Sequence, residues 1–562
     1  MKLALCMSLP TPMIRLSLLF FWLCLAYNIR TQGTQVVPRD LALITGDIID
    51  LGYARYSGNR SFPNTIAFLG IPYAEPPVGD LRFRSPRPLN TSRISEQFRG
   101  HNIDASEYPD FCVQGTTGGG DAGGAGSEDC LKVNIYVPAN TNRNSQLPVL
   151  VYIHGGGYVY GNPRNWPFDH WVHQSPNIVV VSVYYRLDSF GFLAVPDFND
   201  ASIGDFNVGF RDQVQALTWV QQHISAFGGD PTRVTINGES AGGSSVELHL
   251  VAHEHSGLFS GAIAQSVYRT PLPEPAQQVP LFEFFSAAAG CSSGTVAQRV
   301  TCLRHASVSA LSRAQDASGT SAFTGGFKSF HPVLDGKLLT EHPTKSILSG
   351  RFARVPLIVG ATSNESLSGG TIENGLKAFF PLLTEEDVQE FLDVYPSSTF
   401  TSESQREQVI TGESQLICAR EILGNAFAAR TKAWTYRYNQ RNPTSSSLAV
   451  GHAAENWMMF QGSNTGFNGS VTFTPMAPAE VSFAEELIAY WLSFVRSGDP
   501  NKYKLARSPT WPRYTAPRRQ RIVLQQDPNN STAASGSFIE QEPEDEGRRC
   551  QFVASKVDRQ QN

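Results

Sequence analysis

The residues Arg233–Asn237 (RVTIN) read as a β-strand that runs directly into Gly238-Glu239-Ser240-Ala241-Gly242, and a helix-compatible stretch follows. A strand that becomes a helix within so few residues needs glycines at the turn, because a Cβ there would clash, and the turn lifts the serine hydroxyl clear of the backbone. Such a chain needs a sheet covered by helices. Further apolar runs supply it: LPVLVYI ending at Ile153, NIVVVSVYY ending at Tyr185 and RVPLIVG ending at Gly360. Short, nearly continuous β-branched runs suit strands covered on both faces, hence a mainly parallel sheet. From Asp212 to Ile224 the apolar residues Val214, Leu217, Val220 and Ile224 recur at helical spacing, which predicts a crossover helix. Ser482 to Val495 repeats the pattern and is stopped by Gly498 and Pro500. A chain of 562 residues has room for several domains. With no linker-like stretch and no fixed repeat, residues 27–562 read as one large α/β domain.

A net charge of −5 and the absence of long Lys/Arg runs argue against nucleic acid and anionic membrane surfaces as partners, and favour uncharged small molecules. At the start, Lys2 and Arg15 precede the apolar run Leu16–Ala26, with small residues at Cys24 and Ala26, so residues 1–26 read as a secretory signal peptide. The run is well short of the ~20 apolar residues that span a bilayer, so no stable membrane anchor is expected. Six cysteines remain after it: Cys112, Cys130, Cys291, Cys302, Cys418 and Cys550. Neighbours in sequence suggest Cys112 with Cys130 and Cys291 with Cys302, leaving Cys418 for Cys550, although six cysteines permit fifteen pairings. Glycosylation triplets at Asn59, Asn90, Asn468, Asn529 and Asn530 agree with an extracellular, secreted protein. The charged tail QEPEDEGRR belongs on the surface unless Cys550 staples it down.

The pentapeptide alone is a weak signal; its strand context gives it weight. A serine that attacks a carbonyl needs hydrogen-bond donors where the oxyanion forms, and His154-Gly155-Gly156-Gly157 follows the first of the strands above. The N–H groups of Gly156 and Gly157, with that of Ala241, are candidates for an oxyanion hole. In a fold built on this turn the chain order is serine, acid, histidine. His452 is the only histidine after Glu365, and Glu365 lies just past RVPLIVG, which makes Ser240, Glu365 and His452 the candidate catalytic triad. Asp335, in a Pro/Gly turn, is the competing acid and is read as structural. Glu239 stands beside the nucleophile and is assigned no catalytic role.

At these residues the chain resembles the type-B carboxylesterase and lipase family, which also holds the cholinesterases and the non-catalytic neuroligins, and its flavour is similar to secreted fungal members. The resemblance runs through FLGIPYAEPPVGDLRF (Phe68–Phe83), EDCL (Glu128–Leu131), HGGGY, YYRLDSFGFL (Tyr184–Leu193), the stretch Asp212–Gly243 and GHAAENWMMF (Gly451–Phe460). It implies the α/β-hydrolase fold, a large mainly parallel central sheet flanked by helices in a single domain, and a serine hydrolase of carboxylic esters; no cofactor and no metal are expected. It also places Ser240, Glu365 and His452 on the family's triad, Gly156, Gly157 and Ala241 on its oxyanion hole, and the pairs 112–130 and 291–302 on its disulfides. The family's acid is usually followed by Gly, whereas Ser366 follows here. The triplet Asn364-Glu365-Ser366 is a further glycosylation signal, and Asn364 is expected to be buried and unmodified. A silent binding protein of the same fold is the alternative function, but such proteins commonly lose the serine or the histidine.

Other signals are set aside. The tract Gly118–Gly126 has no strand before it and no Gly-Lys-Ser/Thr, so it reads as a loop and not a phosphate cradle. His249, His253, Glu254 and His255 are read as residues near a helix C-terminus, not as metal ligands. Trp166, Tyr158 and Phe467 are candidates for either a substrate pocket or the core. Between Cys112 and Cys130 only Val113, Ala122 and Ala125 are apolar, too little for a lid that docks on lipid. Acyl length, alcohol group and oligomeric state are left open.

Overall fold

The computed structural model describes residues 47–562 apart from 61, 116–125, 253–256, 368 and 466–470. The expected signal peptide lies outside the described residues. Ten strands form the main sheet: β1 (Thr65–Pro72), β2 (Lys132–Pro138), β3 (Leu147–Ile153), β4 (Val179–Val183), β5 (Gly229–Glu239), β6 (Gly261–Gln265), β7 (Leu357–Thr362), β8 (Ala433–Tyr438), β9 (Gln520–Leu524) and β10 (Phe538–Gln541). Their spatial order is β10-β9-β8-β7-β6-β5-β3-β4-β2-β1. From β9 to β4 every neighbouring pair is parallel, while β10, β2 and β1 join antiparallel at the edges.

The period-2 geometry of a strand sends alternate residues to opposite faces, and both faces are apolar here. Val149 and Val151 of β3 enter one core with Val234, Ile236, Ala262 and Val359. Leu150 and Tyr152 enter the other with Ile263, Ile358 and Trp434. Helix α1 (Val208–His223) covers the first face through Leu217, Trp219 and Val220. The second face is covered by α4 (Pro478–Ser497) through Leu487, Trp491 and Phe494. Between them in sequence lie α2 (Ala241–Val251), directly after β5, and the short α3 (Ala454–Met459). Each fully buried Val, Leu or Ile of these layers contributes about 1.5–3 kcal/mol. Gly46–Asn562 forms one compact unit around this sheet.

Helix α1 begins one turn before the apolar repeat that predicts it. Asn207 holds that start in place, its side chain donating to the Val333 carbonyl at 2.9 Å and to Asp335 at 3.0 Å. Among the described residues three disulfides are present, Cys112–Cys130, Cys291–Cys302 and Cys418–Cys550. The charged tail is not a loose surface strand: β10 is followed by a helix over Glu544–Ser555. Its Glu542 and Glu546 enter a buried ion network with Arg420 and Arg521, and Arg549 pairs with Glu413. Among the described residues no helix is long and apolar enough to cross a membrane.

Parallel pairing has the consequence that matters for function. The carboxyl ends of β3, β5, β6, β7 and β8 emerge at one edge of the sheet, where open α/β sheets place their ligands.

Candidate active site

The turn between β5 and α2 is as tight as the sequence requires. Ser240 has φ 58° and ψ −122°, a strained conformation for a non-glycine residue, and its N–H donates to Gln265 O at 3.0 Å on β6. A Cβ on Gly242 would run into the Ile153 carbonyl, and one on Gly238 into the backbone of Gly242. The serine hydroxyl is thereby presented outward. Helix α2 starts at Ala241, whose N–H belongs to the first turn and has no intrahelical acceptor.

His452 Nε2 lies 2.8 Å from Ser240 Oγ, and Nδ1 lies 2.7 Å from Glu365 Oε2. The other oxygen of Glu365 accepts from Ser266 Oγ at 2.5 Å and from the Thr362 N–H at 2.9 Å. Two strand ends therefore hold this carboxyl. Burial pushes Glu365 up, but the facing imidazole and these hydrogen bonds outweigh burial and hold it below the ordinary carboxyl range. For His452, burial disfavours the charged ring; Glu365, Glu239, the bond to Glu365 and Glu455 outweigh that and raise it to about 9. The loops bearing acid and base are stitched together by Asn364. Its N–H donates to Val450 O at 3.0 Å, and its side-chain oxygen accepts from Val450 N at 3.0 Å. Asn364 is half-buried, not buried as expected, because this bond needs it at the seam between two surface loops.

The glycine loop lies beside the turn, since Ile153 at the end of β3 pairs with Gly238 in register. Gly156 adopts φ 102°, and a Cβ there would meet the Tyr160 carbonyl. Its own carbonyl accepts from Val159 N at 3.0 Å and Tyr160 N at 3.1 Å. His154 stacks between Tyr185 and Trp166, and burial lowers it to about 4.

The geometry is that of a hydrolase built on a parallel sheet, and the comparison with known proteins agrees. The model of the carboxylesterase family matches residues 48–541. The chain belongs to the carboxylesterase family. Among solved structures, EstA of Aspergillus niger superposes with a TM-score of 0.79 at 29% identity, covering 92% of this chain and 99% of EstA. The para-nitrobenzyl esterase of Bacillus subtilis (strain 168) is 30% identical over 533 residues, 91% of this chain and 99% of that enzyme. Carboxylesterase 1E of Rattus norvegicus is 31% identical over 510 residues, 82% of this chain and 86% of that enzyme. This α/β-hydrolase is a carboxylic ester hydrolase.

Two buried carboxyls stand close to the histidine of this esterase: Glu239, placed beside the nucleophile by the sequence, and Glu455, which sequence reasoning passes over. Glu239 Oε1 lies 3.4 Å from His452 Nε2, while its other oxygen accepts from Asn456 Nδ2 at 3.1 Å. Glu455, at the start of α3, is buried with neither oxygen hydrogen-bonded among the described residues. Burial and then the charges of Glu239 and Glu365 raise it to about 8. The available signal is the acidic residue three positions after His452, which α3 turns inward.

The remaining candidates fall outside the chemistry. Asp335 closes a turn, its Oδ1 accepting from the N–H groups of Lys337, Leu338 and Leu339 at 2.8–3.0 Å. A second Gly-x-Ser-x-Gly, Gly290–Gly294, joins two helices with no strand before it, and Ser292 is exposed on the surface. His249 contacts Gln213 Oε1 at 3.2 Å and packs on Phe210, while His253, Glu254 and His255 lie outside the described residues. Trp166 and Tyr158 are buried scaffold, and Phe467 is outside the described residues. Asn59 is half-buried, with its amide donating to Ser106 O at 2.9 Å; Asn90, Asn529 and Asn530 are exposed, and Asn468 is outside the described residues. Most of the glycine tract also lies outside them.

Proposed function

We propose that this esterase is secreted and cleaves uncharged small-molecule carboxylic esters through an acyl-enzyme on Ser240. The observation that carries the reading is the continuous run Ser240 Oγ to His452 to Glu365, at 2.8 and 2.7 Å. His452 removes the hydroxyl proton as Oγ attacks the ester carbonyl, and returns it to the departing alcohol as the C–O bond breaks. Glu365 holds the ring in the tautomer that exposes Nε2 and stabilises the imidazolium. The N–H groups of Gly156, Gly157 and Ala241 receive the oxyanion, each contributing on the order of 3 kcal/mol to the transition state. Water, activated by the same histidine, then frees the acid and regenerates Ser240. The protein's own side chains and backbone, with water, carry every step. Export is supported by residues 1–26 and by the disulfides, which persist in oxidising compartments. The exposed triplets at Asn90, Asn529 and Asn530 are the glycosylation sites this reading favours.

The test is stoichiometric labelling with an organophosphate, located by mass spectrometry, beside turnover of a chromogenic short-chain ester. Label on Ser240, and a Ser240→Ala variant without turnover, are expected. Label on another serine, or turnover surviving in Ser240→Ala, overturns the assignment. A wild-type protein that takes neither label nor ester would instead be the silent binding protein.

A further inference from the structure

Arg269, in the segment that leaves β6, is fully buried. A carbonyl, an amide and a hydroxyl oxygen accept from its guanidinium. Nη1 donates to Ser414 O at 2.7 Å and to Gln560 Oε1 at 3.2 Å, and Nη2 donates to Thr344 Oγ1 at 3.4 Å. Its backbone N–H donates to Gln415 O at 2.9 Å. Burial lowers Arg269 to about 10 against the charge of Glu247 on α2, so it stays protonated at neutral pH. Taking a guanidinium out of water is costly, and neutral acceptors offset less of that cost than a paired carboxylate would. What an arginine supplies in return is a rigid planar fork of donors, which here joins segments far apart in sequence.

The segment it fastens carries a partner of the candidate acid. Three positions before Arg269, Ser266 Oγ donates to Glu365 Oε1 at 2.5 Å. Ser266 sits at φ 44°, a left-handed conformation that a non-glycine residue keeps only when its surroundings hold it. On one side its own N–H is held by Gly360 O of β7 at 2.8 Å. On the other, the chain passes Tyr268, whose N–H reaches Ser240 O at 3.3 Å, and is fastened at Arg269. The anchor is a π-helical turn over Glu413–Ile417, which follows the helix Glu403–Gly412. The backbone around Glu365 rests on these same two elements. Gln408 Nε2 donates to Glu365 O at 3.0 Å, a Cβ on Gly412 would meet that carbonyl, and the Leu367 N–H donates to Gln415 Oε1 at 3.3 Å. Donor segment and acceptor loop are thus registered on one stretch of chain, and Arg269 supplies the donor's half of that registration.

Taking Ser240, His452 and Glu365 as the catalytic triad, we propose that Arg269 is a positioning residue for the acid: by fastening the segment after β6 to the turn Glu413–Ile417, it keeps Ser266 aimed at Glu365 Oε1 and so leaves Oε2 on His452. A rival role is structural alone, because Arg269 also gathers Thr344 and the buried Gln560. A junction of that kind would change stability and leave the chemistry of folded molecules as it was. A hold on the acid changes kcat in folded molecules, and does so through Ser266.

The experiment is a double-mutant cycle of Arg269→Met and Ser266→Ala, with Gln560→Ala beside it, on p-nitrophenyl esters. Active sites are counted by organophosphate titration and folding is checked by thermal unfolding. Arg269→Met and Ser266→Ala are each expected to lower kcat per site on the order of 10-fold, with KM little changed. The double variant is expected to match Ser266→Ala within about twofold, since a contact already lost cannot be lost again. Gln560→Ala leaves the bonds to the turn in place, and is expected to lower the unfolding temperature at wild-type kcat. Three results overturn the proposal: losses that multiply to about 100-fold in the double variant, wild-type kcat in Arg269→Met or in Ser266→Ala, or a kcat loss in Gln560→Ala equal to that in Arg269→Met. If Arg269→Met does not fold, Arg269→Gln takes its place in the cycle under the same criteria. Organophosphate on a serine other than Ser240 in the wild type would overturn the triad reading itself, and the proposal with it.

Discussion

Glu239→Gln tests the electrostatics behind the histidine. Glu239 Oε1 stands 3.4 Å from His452 Nε2, the atom that in the proposed mechanism must be unprotonated to take the serine proton. Two unit charges at that separation attract by about 1 kcal/mol at the dielectric of water and about 5 kcal/mol at an effective value of 20. With 1.36 kcal/mol per pKa unit, these limits correspond to about 1 and about 3.5 units. Burial disfavours the charged form of Glu239, and Glu365 continues to hold the ring at 2.7 Å when Glu239 is replaced. The lower limit is therefore the expected one. The sign follows from the imidazolium: His452 is raised above its ordinary value by facing carboxylates, so removing one lowers it. Glutamine keeps an oxygen for Asn456 Nδ2, so the fold should survive. The acid limb of kcat/KM against pH should move to lower pH by about one unit. Its plateau should fall by up to about tenfold, because the imidazolium formed in the transition state loses the same support. The assay is kcat/KM for a p-nitrophenyl ester through the acid limb and across the plateau. An acid limb that stays in place or moves to higher pH would refute the reasoning.

Three further outcomes are expected. Gly242→Ala puts a methyl group against the Ile153 carbonyl, so it should cost about 2–3 kcal/mol in a denaturant titration and lower turnover at least ~10²-fold; wild-type kinetics would show that the turn has room to spare. Loss of Cys418–Cys550, which closes a separation of 132 residues, should destabilise by about 5 kcal/mol on the chain-entropy model. Loss of Cys291–Cys302, which closes 11, should cost about 3 kcal/mol, and the reverse order in unfolding free energies would contradict that account. Finally, the few small apolar residues between Cys112 and Cys130 predict ordinary saturation with a sparingly soluble ester. A sharp rise in rate on crossing the solubility limit would identify an interfacial lipase.

What could be read before folding was whatever local chemistry dictates. The strands β3, β5 and β7 announce themselves because a two-sided parallel sheet demands unbroken apolar runs, and the turn at Ser240 because only glycines fit around it. Chain order then narrows the candidate base to His452, its place just past RVPLIVG makes Glu365 the candidate acid, and the structure brings both to Ser240. The pentapeptide alone would not have sufficed, since Gly290–Gly294 matches it equally well and lacks the strand. Contacts between distant segments leave no such trace. Glu239 and Glu455 are ordinary acidic residues until β5 and α3 bury them around one imidazole. The tail reads as solvated because Glu546 meets Arg420 and Arg521, and Arg549 meets Glu413, only once the chain has folded. In this fold the groups that react are written locally, around the turn and the strand ends. Those that orient and charge them come from wherever the topology returns, and that distinction separates what the sequence shows from what only the packed molecule does.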